Sequence, residues 1–275
     1  KMSAGRIDIR VYGGGELVPA LEAFDAVSSG TVQMGSGGAY YWAGKSPAAQ
    51  FFASIPFGMN AQQVTAWLMA GGGYELWKEV YAKFNVVPFM GGNTGVQMGG
   101  WFNKEIKTAA DLQGLKMRIP GLGGKVMAKL GVNVQNLPGS EIFLALERGT
   151  IDAAEWVGPY DDEKLGLQKA AQFYYYPGWW EPGPAFHMMI NLEAWESLPP
   201  IYQEVVKTAC VESNISTLAK YDAVNGAALQ SLLGSGAQLR PFSDEILAAA
   251  EKAAFEIYEE SASQDAAFKE IYDQW

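Results

Sequence analysis

The sequence predicts an α/β chain in two lobes of similar plan that face each other across a cleft. Three observations carry that expectation. From Val96 onward, strand and helix patterns alternate, the mark of a parallel sheet joined by crossover helices. The chain also echoes itself. Val27-Ser28-Ser29-Gly30-Thr31-Val32-Gln33 matches Leu146-Glu147-Arg148-Gly149-Thr150-Ile151-Asp152 in kind, each a helix end, a Gly-Thr turn and a β-branched strand, 119 residues apart. Aromatic residues follow each copy, Tyr40-Tyr41-Trp42 in one and Trp156 with Tyr160 in the other.

The elements follow in order. Gly5 closes what reads as a last helical turn, and Ile7-Asp8-Ile9-Arg10-Val11 alternates as a strand. An opening in mid-helix, with no apolar signal-peptide stretch in Lys1-Met2-Ser3-Ala4-Gly5, is read as the loss of a presequence and of an initial strand and helix. Gly13-Gly14-Gly15 leads into a helix over 17–29, with Leu17, Leu21, Phe24 and Val27 at helical spacing. The glycine triplet has neither the dinucleotide-fold nor the P-loop spacing. A strand at 31–34 and a loop of glycines and rings at 35–44 come next. Helices at 61–70 and 74–84 flank Gly71-Gly72-Gly73, and strands follow at 86–90 and 96–102. The alternating region then reads strand 115–119, helix 124–130, strand 132–137, helix 141–148 and strand 151–157. Helix 164–171 and strand 172–176 lead into Pro177-Gly178-Trp179-Trp180-Glu181-Pro182-Gly183-Pro184, a stiff loop because proline and glycine forbid regular structure there. Strand 186–191 returns to the first lobe, and helices at 199–220, 222–233 and 244–261 finish the chain. Ser243-Asp244-Glu245 opens the last of these, whose stripe of Ile246, Leu247, Ala250, Ala254, Ile257 and Tyr258 needs a partner, either both lobes or a second subunit. The expected organisation is lobe one from 1–93 plus 185–221, lobe two from 94–184, and a helical C-terminal extension over 222–275.

Composition narrows the function. Thirty acidic against twenty basic residues give a net charge of −10, which disfavours nucleic acid as a partner. No apolar run reaches the roughly 20 residues of a bilayer span. One cysteine, Cys210, makes neither an internal disulfide nor a multi-cysteine metal cage. The single histidine, His187, lies in the apolar run FHMMIN and reads as packed, which disfavours a Ser-His-Asp triad and zinc chemistry. Nine tryptophans and thirty-two glycines suit tight turns around a ring-lined pocket.

The candidate site begins at Asp111 to Gly124, DLQGLKMRIPGLGG. Leu115, Met117 and Ile119 alternate with Lys116, Arg118 and Pro120, and Pro120 with three glycines ends the strand abruptly. Arg118 is thus delivered near the carboxyl end of a strand, where ligands bind in open α/β sheets, carrying the fork of donors that best matches a carboxylate. Two glutamates adjoin tryptophans: Glu155 with Trp156, and Glu181 after Trp179-Trp180. Ionised about 4 Å apart in one cleft, they would repel by roughly 4 kcal/mol at an effective dielectric of about 20. A hard cation offsets this, as does a shared proton of the glycosidase kind; one glutamate facing water is the plain alternative. Gln97, between Val96 and Met98, either supplies an amide oxygen or is an exposed strand residue.

The runs Gly92-Asn93-Thr94-Gly95-Val96-Gln97-Met98-Gly99-Gly100-Trp101-Phe102, Asp111-Leu112-Gln113-Gly114-Leu115-Lys116-Met117-Arg118-Ile119-Pro120 and Ala145-Leu146-Glu147-Arg148-Gly149-Thr150-Ile151-Asp152-Ala153-Ala154-Glu155-Trp156 carry a resemblance. They are similar to the solute-binding subunits of tripartite ATP-independent periplasmic (TRAP) transporters, within the branch that binds 2-oxo and 2-hydroxy monocarboxylates with a metal ion. The resemblance implies a two-lobed periplasmic-binding-protein fold, a periplasmic location, membrane permease subunits as partners, and binding without catalysis. It implies that Arg118 pairs with the substrate carboxylate. It further implies that Gln97, Glu155, the Trp156 carbonyl and Glu181 hold the metal. Tyr40, Tyr41, Trp156 and Trp180 are candidate pocket walls, with core packing as the plain alternative for each. Family kinship points to Na+. Counting charge points to Ca2+, because two glutamates, a carboxylate ligand and Arg118 sum to −2. A pyruvate-like 2-oxo acid is the expected ligand, with a 2-hydroxy acid such as lactate, or a carbohydrate-active enzyme using Glu155 and Glu181 as acid and base, as alternatives. A C-terminal helix pairing two copies is the expected route to a homodimer.

Overall fold

The structure, a computed structural model, describes residues 2–275; Lys1, the first residue of the expected helical end, lies outside them. In chain order the elements are α1 (Ala23–Ser28), β1 (Met34–Gly37), α2 (Ala61–Ala70), α3 (Gly73–Ala82), β2 (Val86–Asn93), β3 (Trp101–Phe102), β4 (Lys116–Arg118), α4 (Gly121–Lys129), β5 (Asn133–Gln135), α5 (Gly139–Glu147), β6 (Ala153–Ala154), α6 (Pro159–Leu165), β7 (Phe173–Tyr176), β8 (Ala185–Asn191), α7 (Leu192–Glu196), α8 (Pro200–Gly234), β9 (Gln238–Pro241), α9 (Asp244–Gln264) and α10 (Ala266–Gln274).

Two sheets organise two lobes. The first runs β1-β8-β2, with both outer strands antiparallel to β8. The second runs β5-β4-β6-β3-β7-β9 and is mixed: β4 is parallel to both β5 and β6, β3 is antiparallel to β6 and β7, and β9 is parallel to β7. The crossover helices expected from the alternating pattern are therefore present, and β3 inserts against their direction.

The internal echo is a local geometric one. In each copy the turn glycine has positive φ, +76° at Gly30 and +68° at Gly149, which only glycine adopts freely. The same two bonds close each helix: Gly30 N to Val27 O (3.0 Å) and Val32 N to Ala26 O (3.1 Å), against Gly149 N to Leu146 O (3.1 Å) and Ile151 N to Ala145 O (3.2 Å).

Five expectations are corrected. Residues 7–11 form no strand: Val11 is 89% exposed, and among the described residues the segment has no neighbour to complete a ladder. The helix expected at 17–29 is regular only from Ala23, because Pro19 and a single 3₁₀ turn precede it. The helix expected at 164–171 starts instead at Pro159, whose fixed φ and missing N–H suit the first turn. The stretch from 199 to 233, read as two helices, is one helix of 35 residues, about 50 Å long. It has no internal proline, and it packs on the first sheet through Ser213 Oγ donating to the Gly91 carbonyl (2.8 Å). Farther along it meets α6 through Tyr221 Oη donating to Asp161 (2.5 Å).

The C-terminal stretch is likewise not purely helical, since β9 extends the six-stranded sheet beside β7. The apolar stripe of α9 finds its partners within the chain. Ile246, Ala250, Ala254, Ile257 and Tyr258 are buried, Lys129 of α4 pairs with Glu256 (2.9 Å), and Tyr258 Oη donates to the Pro56 carbonyl (2.7 Å). Phe268 of α10 packs edge-on against Phe51 at 4.8 Å. The tail thus touches both lobes.

Candidate functional site

Arg118 stands at the carboxyl end of β4, between β5 and β6, and is 1% exposed. Backbone carbonyls hold it in place: Nε donates to Leu137 O (3.0 Å) and Nη1 to Glu155 O (3.0 Å). Nη1 also pairs with the Glu155 carboxylate, and Nη2 donates to Tyr41 Oη (3.1 Å). The guanidinium lies 5.3 Å from the centre of the Trp156 ring, a cation–π contact. Among the described residues, the second N–H of Nη2 has no protein acceptor. Burial works against the charge. Glu155, Tyr41 and Glu181 outweigh that and hold the guanidinium above its ordinary value, so it stays cationic.

Glu155 follows β6, and its backbone N–H donates to the Arg118 carbonyl (3.1 Å), which fixes the two side chains on one side of the sheet. Glu181 comes from the Pro-Gly loop, where Gln97 N donates to Glu181 O (3.2 Å) and Gly178 N to Gln97 O (3.0 Å). Both glutamates are buried, at 1% and 6% exposure. Burial raises Glu155 to about 7 despite the pull of Arg118. Burial, then the charge of Glu155, lifts Glu181 well above the carboxylate range, against Arg118, Tyr40 and Gln97.

The remaining expected residues gather at the same place, with one exception. Tyr40 is nearly buried, sits edge-on to Tyr41 at 4.8 Å, and has its phenol pushed up first by burial and then by Glu181. Trp156 packs against Gly139, where an added Cβ would fall 2.4 Å from the ring. Trp180 instead turns into the apolar core, 4.7 Å from Trp179 and 5.8 Å from Phe242, and braces the loop that carries Glu181.

One feature bears on a cation. Three side-chain oxygens, Gln97 Oε1, Glu155 Oε2 and Glu181 Oε2, are fully buried and accept no hydrogen bond. Leaving such groups unsatisfied costs about 1–3 kcal/mol each, more when charged. A set of two carboxylates and one amide, all oxygen, fits a hard cation such as Na+ or Ca2+ and not a soft metal. Among the described residues no cluster of three His, Cys, Asp or Glu side chains exists, so the amide is needed to complete the set. His187 takes no part: it is fully buried in the first sheet, its Nδ1 is 2.7 Å from Tyr81 Oη, and burial drives its pKa down to about 3.

Two site residues carry no signal in the sequence. Gln50, in the run PAAQFF, reaches across from the first lobe, where its Oε1 accepts from Leu122 N (2.8 Å) at the start of α4. The Leu137 carbonyl is a backbone group and so is invisible to residue-type reasoning.

The pattern of the family described as "Bacterial extracellular solute-binding protein, family 7" (DctP) matches residues 1–265. The chain is 62% identical over all 275 residues to the monocarboxylate 2-oxoacid-binding periplasmic protein of Nostoc sp. strain PCC 7120, covering 76% of that protein. It matches the crystal structure of a TRAP transporter solute-binding protein from Bordetella bronchiseptica RB50, in which calcium and picolinate copurified, with TM-score 0.98 and 47% identity over 100% of this chain and 82% of that one. It also matches a TRAP periplasmic solute-binding protein from Pseudoalteromonas atlantica T6c with bound sodium and pyruvate, with TM-score 0.96 and 43% identity over 99% of this chain and 83% of that one.

Proposed function

Because the chain belongs to the family 7 bacterial extracellular solute-binding proteins, we propose that it is the periplasmic receptor of a TRAP transporter, capturing a small 2-oxo monocarboxylate of pyruvate type together with a bound cation. The observation that carries the reading is the trio of unpartnered oxygens on Gln97, Glu155 and Glu181 beside a buried Arg118. Arg118 offers its free N–H to the ligand carboxylate, Tyr41 and Trp156 hold the guanidinium plane, and Tyr40 closes the pocket from the first lobe. Gln97, Glu155 and Glu181 would hold the ion, with the Trp156 carbonyl as fourth donor. The ion supplies a hard positive centre for the ligand's carboxylate and 2-oxo oxygens. Sodium leaves the site at −1 and calcium at zero, and the relatives described above contain one or the other.

The lobes close about the two crossings near 92–95 and 183–186, and the ligand is handed to a membrane permease without chemistry. An acid–base role for Glu155 and Glu181 would leave the Gln97 oxygen without a purpose, so the binding reading is preferred. Calorimetry with pyruvate tests it: measurable affinity in calcium or sodium, and at least a tenfold loss after exhaustive chelation in sodium-free buffer, is the expected result. Indifference to both treatments overturns the cation assignment. Absence of pyruvate, 2-oxobutyrate and lactate binding under all conditions overturns the ligand class.

A further inference from the structure

We propose that Gly139 is a positioning residue for Arg118: with no side chain at the start of α5, it lets the Trp156 ring seat beside the guanidinium. The inference rests on the binding reading above, in which Arg118 takes the ligand carboxylate. α5 begins at Gly139, directly after Pro138. The φ of Gly139 is not positive, so its backbone suits a residue with a side chain, and alanine is the better helix former. The helix itself does not call for glycine; the neighbouring ring does. A Cβ at position 139 would fall 2.4 Å from Cη2, 2.8 Å from Cζ3 and 2.9 Å from Cζ2 of Trp156, well inside the distance at which carbon atoms pack. All three atoms belong to the outer, six-membered ring of the indole.

A methyl group at this position could be accommodated in two ways, and both reach Arg118. The backbone that carries the ring is tied down, since Glu155 N donates to the Arg118 carbonyl (3.1 Å) and Glu155 O accepts from Arg118 Nη1 (3.0 Å). Either the half-buried Trp156 side chain swings, or the start of α5 withdraws. If the ring swings, the guanidinium loses the aromatic face whose centre lies 5.3 Å away. If α5 withdraws, it draws with it Leu137, two residues earlier, whose carbonyl holds Arg118 Nε at 3.0 Å. Gly139 touches no ligand and no ion in this scheme; it acts only through Trp156 and the turn that leads into α5.

Gly139→Ala is tested alone and together with Trp156→Phe, whose single ring stops short of the three crowded atoms. The measurement is pyruvate affinity by calorimetry in saturating calcium, on the full chain. Gly139→Ala is expected to weaken pyruvate binding about 5- to 30-fold when Trp156 is present. Added to Trp156→Phe it is expected to change affinity by less than about twofold, whatever Trp156→Phe costs by itself. A glycine with a merely structural role would give the same loss in both backgrounds. Parental affinity in Gly139→Ala, or an equal loss in both backgrounds, overturns the proposal. Should Gly139→Ala not fold, or Trp156→Phe bind too weakly to measure, ligand-free melting temperatures decide. A fall confined to the background that keeps Trp156 supports the proposal, and no fall or an equal fall in both overturns it. An unsubstituted protein that binds neither pyruvate, 2-oxobutyrate nor lactate overturns the underlying reading instead, and this one with it.

Discussion

The second lobe buries two acidic groups seven residues apart in sequence, Asp162 and Glu155, and treats them in opposite ways. Asp162 is saturated. Its Oδ2 accepts from Trp101 Nε1 (3.0 Å) and Tyr174 Oη (2.8 Å), and its Oδ1 from the N–H groups of Val157 (3.2 Å) and Gly158 (3.1 Å). Glu155 has Arg118 on one oxygen and nothing on the other, and Glu181 likewise keeps a bare oxygen. The two sites are equally dry, at 1% exposure for Asp162 and for Glu155, so burial does not separate them. What separates them is completeness. The buried carboxylate of Asp162, with its acceptors filled, joins β3, β7 and the start of α6, whereas the bare oxygens of Glu155 and Glu181 are the ones proposed above to hold a cation.

That comparison breaks most visibly at Asp162. Replacing it with alanine orphans four donors and is expected to cost about 4 kcal/mol of stability, measured by urea unfolding, while the folded fraction keeps its affinity for pyruvate. A variant that folds normally but no longer binds would erase the distinction between the two sites. The pH dependence sharpens it further. Burial lifts Asp162 to about 6 in the fold, against its donors, whereas an unfolded aspartate titrates near 4. Between these values the folded chain holds more protons than the unfolded one. This group's contribution to stability is therefore full below about pH 4 and is lost as pH rises through 6, by about 3 kcal/mol. Comparing the parent with Asp162→Asn isolates that slope from the opposing one of His187, whose depressed pKa makes stability fall with acidification between about 6.5 and 3.

At the unsaturated site the expected signs reverse. Glu181→Gln removes a carboxyl that burial disfavours, so the cation-free protein is expected to gain about 1 kcal/mol. The stabilisation by calcium, about 2.7 kcal/mol at a hundredfold excess over its dissociation constant, is expected to vanish. Scanning calorimetry with and without calcium reads both, and a Glu181→Gln protein that is less stable without calcium would make Glu181 a structural residue like Asp162. Arg118→Ala is expected to weaken pyruvate binding by about 1.5–3 kcal/mol, the range for hydrogen bonds to charged groups, and unchanged affinity would remove Arg118 from the site.

One side of this contrast is legible in the sequence. Arg118, Glu155 and Glu181, proposed to form the site, each sit beside punctuation in the sequence: Pro120 and its glycines, the end of a short strand, a Pro-Gly loop; Gln97 stands out only by its place between Val96 and Met98. Local rules describe such places well. Asp162 carries no such signal, because its meaning depends on Trp101 and Tyr174, 61 and 12 residues away in the chain. The strand β9 is hidden for the same reason. Gln238-Leu239-Arg240-Pro241 reads as a linker until β7 supplies a parallel neighbour. The alternating segment at 7–11 erred the other way, since period-2 alternation shows what a strand would bury and not that an edge is there to receive it. Trp180 adjoins the proposed site residue Glu181 but packs in the apolar core against Trp179 and Phe242, a distinction that proximity in sequence cannot make.

The smallest effect separates residues that touch the ligand from residues that hold the lobes together around it. With Gln50 in the proposed first lobe and Leu122 in the proposed second, the bond from Leu122 N to Gln50 Oε1 at 2.8 Å would, on the proposed closing motion, form only in the closed state. Leu122 N is among the first N–H groups of α4, which have no partner within the helix. In an opened cleft water would satisfy it; in the structure described, Gln50 does. Gln50→Ala therefore leaves the open form unchanged and penalises the closed one by about 1 kcal/mol, the net value of one such bond. Because the apparent affinity scales with the population of the closed state, pyruvate binding is expected to weaken about fivefold. Stability without ligand and the affinity for calcium alone are expected to stay put, since the three candidate cation-binding side chains lie on the second lobe and its crossings. Calorimetric titration of calcium first and pyruvate second distinguishes the cases: equal losses in both steps would place Gln50 in the cation site, and a loss in the second step alone places it at the closure.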